Sequence, residues 1–314
     1  MSTAAAVPVT KGDLEGDEAL ETLRATDLRT LAKDSFTRFR AADGFSHSRA
    51  LAFQFTLTLL PALIAIVGLA TALDQESFRR IVQATFDEIA PGAVGDLLSE
   101  ALKQGSSSVT NEHGETALLG GGLAAFVAGA SAMGQVERGA NRIYGVERDR
   151  PVLRKYLVGA GLACSAGILA LLAVVLLVAG SSVREAAGLG QTGSDVWAVL
   201  RWPVGVVCVV AAVALLFELS PRRRQPEPSW LAVGAGLSVT LWLAFMGLLA
   251  IYINATGTFG ATYGPVAGTI GVLLWAFLSA LALFLGLAFA AQLEAVRAGV
   301  AEPRVERHEN VSGG

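Results

Sequence analysis

An all-α, polytopic membrane fold is predicted by three observations. First, 53% of the 314 residues are hydrophobic and only 16% are charged, with a mean hydropathy of +0.53. That leaves too little polar surface for a soluble chain of this length. Second, Ala50 to Leu73 reads ALAFQFTLTLLPALIAIVGLATAL without a single charge, and a bilayer core needs about 20 such residues in a helix. Third, that stretch does not alternate polar and apolar residues as a membrane strand would, so its backbone groups in lipid are satisfied inside a helix.

The N-terminal residues 1–16 are small, polar and acidic, with neither the basic start nor the apolar run of a secretory signal, and are expected to be disordered. Residues 17–42 predict one amphipathic helix at the cytoplasmic interface. Leu28, Leu31, Ala32, Phe36 and Phe39 fall on one face, and Arg29, Lys33, Arg38 and Arg40 cover the rest. Asp43-Gly44 breaks it before the first span.

Within the first span, Gln54, Thr58, Ala62 and Ala65 share one face, and Pro61 on the same side removes a backbone bond. That face looks toward other helices or water. Gln54 and Thr58 either cement helices together or line a polar path, with Pro61 bending it. Residues 74–115 form an extracytoplasmic excursion with two further amphipathic helical patterns.

Five more spans follow, at about 116–133, 156–180, 202–219, 230–253 and 263–291, all within a membrane domain covering 50–291. The second is rich in Gly and Ala, which favours close helix approach. Its glycine triplet is not followed by the Lys-Ser/Thr of a phosphate loop. Gly260, Gly264 and Gly268 recur every fourth residue into the last span and form a packing ridge. Residues 292–314 read as a frayed cytoplasmic tail.

Lys and Arg placement gives the orientation. Of the 24, 18 fall on the side holding both termini, the 135–155 linker and the 220–229 turn, against five on the other side. Both termini are therefore expected in the cytoplasm. Interfacial Tyr156, Trp202, Trp230 and Tyr252 stand at span ends.

Chemistry is sparse. Cys164 and Cys208 sit in apolar segments, the three histidines are far apart, and no metal-ligand spacing occurs. No catalytic residue, metal or cofactor is expected. The linker QVERGANRIYGVERDRPVLRK, residues 135–155, has basic residues but one aromatic, Tyr144, which is poor support for stacking on single-stranded RNA. Membrane lipids are the expected partners, a homo-oligomer is open, and no nucleic acid is expected. Asn141 is read as capping or bridging backbone at the end of the second span. Arg142 is read either as a donor to a lipid phosphate or as a structural partner of Glu137 or Glu147.

Three motifs resemble the YihY/BrkB family of bacterial inner-membrane proteins. LAFQFTLTLLP (Leu51–Pro61) is similar to that family's first-span signature. ANRIYGV (Ala140–Val146) with Arg150-Pro151 is similar to its cytoplasmic motif. Tyr263-Gly264 with LLWAFLSALALFLG (Leu273–Gly286) is similar to its last span. The likeness covers about Phe36 to Arg297. Gln54 departs from an aromatic, and Ala288 and Ala290 depart from a Glu and an Asn. The resemblance implies six helices with both ends inside and an envelope role. A ribonuclease label attached to the family finds little support in these residues. Translocation of lipid or another envelope component is the leading expectation. A non-transporting scaffold is the alternative.

Overall fold

In the computed structural model, residues 3–10, 14–72, 114–177, 191–256 and 266–305 are described. The excursion expected at 74–115 lies almost wholly outside them, as do Gly260, Gly264 and residues 306–314. The fold is all-helical. Among the described residues, the only β pairing is an isolated bridge between Ala4 and Arg304.

Eight helices are described: α1 Gly16–Ala25, α2 Leu28–Ala41, α3 Gly44–Ala72, α4 Gly114–Ile143, α5 Val152–Leu177, α6 Gln191–Leu219, α7 Pro228–Thr256 and α8 Ala267–Arg297. Five of them, α4 to α8, are long and apolar enough to cross a membrane. The first expected span lies in α3, a 29-residue helix that runs through Pro61.

Helix α8 is the hub. It touches α1, α2, α3, α4 and α7, and its buried residues run from Ala267 to Ala295. Its partner α7 comes unusually close, because Gly234 and Gly286 face each other: a Cβ at Gly234 would stand 2.8 Å from the Gly286 carbonyl oxygen. Trp242 Nε1 donates to Ser279 Oγ at 3.0 Å across the same seam. Small residues and an interhelical hydrogen bond are the expected adhesives where lipid supplies no hydrophobic drive between helices. Helices α3 and α4 pack in the same manner, with Gly121 against the α3 backbone at Ala65.

Several expected boundaries shift, for one physical reason: the helices do not stop where the apolar run stops. Helix α3 starts at Gly44 and α4 continues through the charged linker to Ile143. Helix α6 starts at Gln191, within the expected polar loop. The tail expected from residue 292 is instead the last turns of α8, in which Gln292 and Glu294 are fully buried. The single amphipathic helix at 17–42 is two helices. The second is begun by Asp27, whose side chain accepts from the Thr30 amide at 3.0 Å, the standard way of satisfying a first-turn N–H.

The N-terminal segment also departs from expected disorder. Thr3 N–H donates to Ala41 O at 2.9 Å, Ala5 N–H to Pro303 O at 3.1 Å and Val7 N–H to Tyr144 O at 3.2 Å. Ala4 and Val7 are buried. Residues 3–10 thus form a strap across the ends of α2, α4 and α8, held by backbone bonds that composition does not reveal.

A buried polar network at the clustered helix ends

The residues that carry chemistry gather where α2, α4, α6 and α8 end, beside residues 3–10 and 301–305. The motif Ala140–Val146 supplies the centre. Asn141 is fully buried. Its Nδ2 donates to Asp149 Oδ1 at 2.9 Å, and its Oδ1 accepts from the Arg222 amide at 2.7 Å. One side chain therefore bridges the loop after α4 to the turn after α6. Arg142 donates to Val146 O at 3.1 Å and Glu147 O at 2.8 Å, closing the loop beyond its own helix end.

Arg150 completes the turn. Its guanidinium donates to Ser220 O at 2.7 Å, Pro221 O at 2.9 Å and Leu219 O at 3.2 Å, which caps the carbonyl end of α6. Positive charge is favourable there, where the helix dipole leaves orphaned carbonyls. Glu137 orients it, accepting the Arg150 amide at 2.9 Å and facing its guanidinium at 3.5 Å. Replacing Asn141 with alanine is expected to remove the partner of the Arg222 N–H and of Asp149 and lower stability by about 1 kcal/mol, read as a thermal shift in detergent. Asn141→Asp is not expected to rescue, since it sets a second carboxylate against Asp149.

Tyr144 lies next to a second, deeper cluster that the sequence did not single out. Its ring is covered by the Arg223 guanidinium, 4.6 Å from the centroid. Burial pushes its phenol up from the ordinary value, so it is neutral. Arg223 Nη2 pairs with Glu294 Oε1 at 2.5 Å and also donates to Pro8 O of the strap at 3.2 Å. Arg38, fully buried, donates from Nε to Gln292 Oε1 at 2.8 Å, and from Nη1 to Ala5 O at 2.7 Å and Ile143 O at 3.3 Å. Burial lowers its pKa to about 10, which leaves it charged at neutral pH. The sequence places Arg38 on the polar face of the 17–42 helix and counts Arg223 only as a topology charge. The available signal was the placement of Arg38 next to Phe39, toward the apolar face of α2.

One cavity adjoins this network, and another lies further along α3 and α4. The larger, about 680 Å³, opens beside the strap and is lined by Ala4, Ala6, Asp43, His47, Arg142 and Glu147 among others. His47 is held below its ordinary pKa by burial, and its Nδ1 faces Gln135 Nε2 at 3.2 Å. Gly145, at φ 71°, allows the strap to pass: a Cβ there would stand 2.6 Å from Ala6 Cα.

The second is a groove of about 530 Å³ between α3, α4 and α5, lined by Gln54, Leu57, Gly120, Ala124, Ser131 and Tyr156 among others. Gln54 thus faces a groove. Thr58 is half-buried, and its hydroxyl donates to Gln54 O at 2.8 Å. Its Cγ2 lies 4.0 Å from where a Cβ on Gly129 would stand. Pro61 is half-buried further along α3. Of the glycine ridge, Gly268 is described, half-buried in the first turn of α8. Among the described residues, no three of His, Cys, Asp and Glu gather to hold a metal ion.

A bundle of long apolar helices closed by a buried polar network defines a multi-pass integral membrane protein. The family model of virulence factor BrkB matches residues 35–310, and the chain belongs to that family. Relatives are similar at moderate identity. The ribonuclease-like protein YfkH of Bacillus subtilis is 27% identical over 258 residues, covering 81% of this chain and 91% of its own. The UPF0761 membrane protein RSc1559 of Ralstonia nicotianae is 26% identical, covering 87% of this chain and 63% of its own. The UPF0761 membrane protein Bpet3042 of Bordetella petrii is 26% identical, covering 79% and 54%. The chain thus spans nearly all of YfkH but only part of the two longer relatives. No solved structure matches.

Proposed function

We propose that this membrane protein moves lipid or another amphipathic envelope component along the groove between α3, α4 and α5, from a cytoplasmic-membrane position with both termini inside. The groove supports this reading. Its walls are apolar apart from Gln54, Ser131 and the hydroxyl of Tyr156. Gly120 to Ser131 on α4 spans about 16 Å at 1.5 Å per residue, close to the depth of one leaflet of a core about 30 Å thick. An acyl chain fits such a wall, and the half-buried Gln54 amide gives a polar headgroup a place to rest on the way.

The reading leaves out ribonuclease activity. Arg150, Arg222 and Arg223, which could have attracted phosphate, are engaged with backbone carbonyls of the chain itself. The experiment is dithionite bleaching of fluorescent phospholipid in proteoliposomes. Bleaching beyond the outer leaflet is expected with the wild type and is expected to fall severalfold with Gln54→Leu. Bleaching equal to that of empty liposomes would remove energy-independent lipid scrambling. A second reading, a non-transporting scaffold, is favoured by the tight Gly234–Gly286 seam and the ties between helix ends. It predicts that Gln54→Leu is silent.

A further inference from the structure

We infer that Glu294 is a proton-binding site whose protonation releases the N-terminal strap from the mouth of the 680 Å³ cavity. The argument begins with charge. Arg38, Arg223 and Glu294 are all at least nine-tenths buried, so this pocket holds two positive charges against one negative. An excess charge in a low-dielectric interior is tolerated only while it is well paired.

The two arginines differ in how they are held. Arg38 has four oxygen acceptors, Gln292 Oε1, Ala5 O, Ile143 O and Glu302 O, and none is a carboxylate. Arg223 depends on Glu294. Its Nη1 has no partner, its Nε reaches only Arg224 O at 3.2 Å, and its Nη2 is shared between Glu294 and Pro8 O. Glu294 is itself half-satisfied. Oε1 accepts from Arg223 and, at 3.4 Å, from Thr10 Oγ1, while Oε2 is buried without a partner. The groups facing it are Thr10 from the strap, Arg38 from α2, Tyr144 from the end of α4 and Arg223 from the turn before α7. On its own helix, Arg297 turns away to Glu18 and Glu21 of α1.

Adding a proton to Glu294 forms one O–H bond and removes the only carboxylate that Arg223 touches. Arg223 is then a buried cation held by two carbonyls, Pro8 O and Arg224 O, and by the face of Tyr144, with no carboxylate, and hydration outweighs those contacts. As Arg223 leaves, the strap loses its Pro8 anchor and its Thr10 contact with a charged acceptor. What holds it is then Arg38 at Ala5 O and four backbone bonds, to Ala41 O, Pro303 O and Tyr144 O and from Val305 N–H. Ala4 and Ala6 line the cavity, so freeing the strap widens its mouth toward water.

The test is hydrogen–deuterium exchange of the Ala5 and Val7 amides in the full-length protein in nanodiscs, corrected for intrinsic rates, at about pH 8 and about pH 5, a range in which buried carboxyls titrate. In the wild type, protection is expected to fall about tenfold on acidification, the equivalent of one charge-assisted hydrogen bond. Glu294→Gln, which mimics the neutral acid, is expected to show the low protection at both values. Arg223→Gln should do the same while leaving the carboxyl in place. Equal wild-type protection at both values overturns the proposal and needs no variant to fold. A pH-dependent fall that persists in Glu294→Gln or Arg223→Gln overturns it as well. No transported substrate enters the measurement, so it stands or falls separately from lipid translocation.

Discussion

Substituting leucine for Gly286 is expected to destroy the α7–α8 seam and, with it, the folded bundle. A single added carbon at Gly286 already falls on the Ser238 hydroxyl and 2.5 Å from the Gly234 carbonyl oxygen. The reciprocal position is equally closed, since a carbon on Gly234 meets Ala290 Cβ at 2.6 Å. Overfilling a packed interior costs about 1–3 kcal/mol when side chains can move aside. Here the obstacles include backbone carbonyls, which cannot rotate away, so the loss is expected at or above the top of that range. Separating the helices would also break the Trp242–Ser279 bond, leaving the indole N–H without its acceptor in an apolar surrounding. The measurement is unfolding in mixed detergent, with Gly286→Ala as a milder step. Gly236 on the same helix is the control: a Cβ there meets nothing within 4 Å, so Gly236→Ala should leave the midpoint unchanged or slightly raised. Equal effects at Gly286 and Gly236 would mean the seam does not exist.

Such seams explain what the sequence made legible. The apolar runs marked the membrane helices because lipid demands length and hydropathy, and both are local properties. The small residues of α4 marked a close contact, and Gly121 makes one with α3. The ridge Gly260–Gly264–Gly268 drew attention instead of Gly234 and Gly286, because a fourfold spacing is visible in one segment. A pair of glycines on two different helices is visible only once their register is known. For Asn141 the sequence offered capping or bridging of backbone at a helix end, and its Oδ1 accepts from the Arg222 amide. The roles of Arg38, Arg223, Gln292 and Glu294 were not. Nothing in a mixed-charge tail distinguishes a solvated glutamate from one paired with an arginine 71 residues away. Positive-inside counting even misdirected, because it treats every arginine as a surface charge, whereas Arg38 is fully buried and Arg150 caps a helix.

Arg38 is therefore where the second large loss is expected. Arg38→Met keeps the length and much of the apolar stem but removes every donor. The acceptors left behind, Gln292 Oε1, Ala5 O and Ile143 O, stay close-packed beneath the strap. Gln292 retains only its bond to Ala301 O, so its amide oxygen is stranded. Each buried acceptor that loses a partner costs about 1–3 kcal/mol. Removing one member of a buried charged network costs about 3–5 kcal/mol. A drop of about 3 kcal/mol or more is thus expected in chemical or thermal unfolding. Arg38→Lys should not restore it, because one ammonium cannot reach acceptors that a planar fork meets from several sides. Arg40→Met, two residues along the same helix and exposed, should change stability by no more than about 0.5 kcal/mol. The comparison separates charge from position: both substitutions delete one arginine from the same short helix and shift net charge equally. If the two variants unfold alike, the arginine at 38 acts only through membrane-surface charge. If Arg38→Met alone collapses, the strap, the ends of α2 and α4 and the last turn of α8 are joined through one guanidinium, and residues 3–10 belong to the folded core.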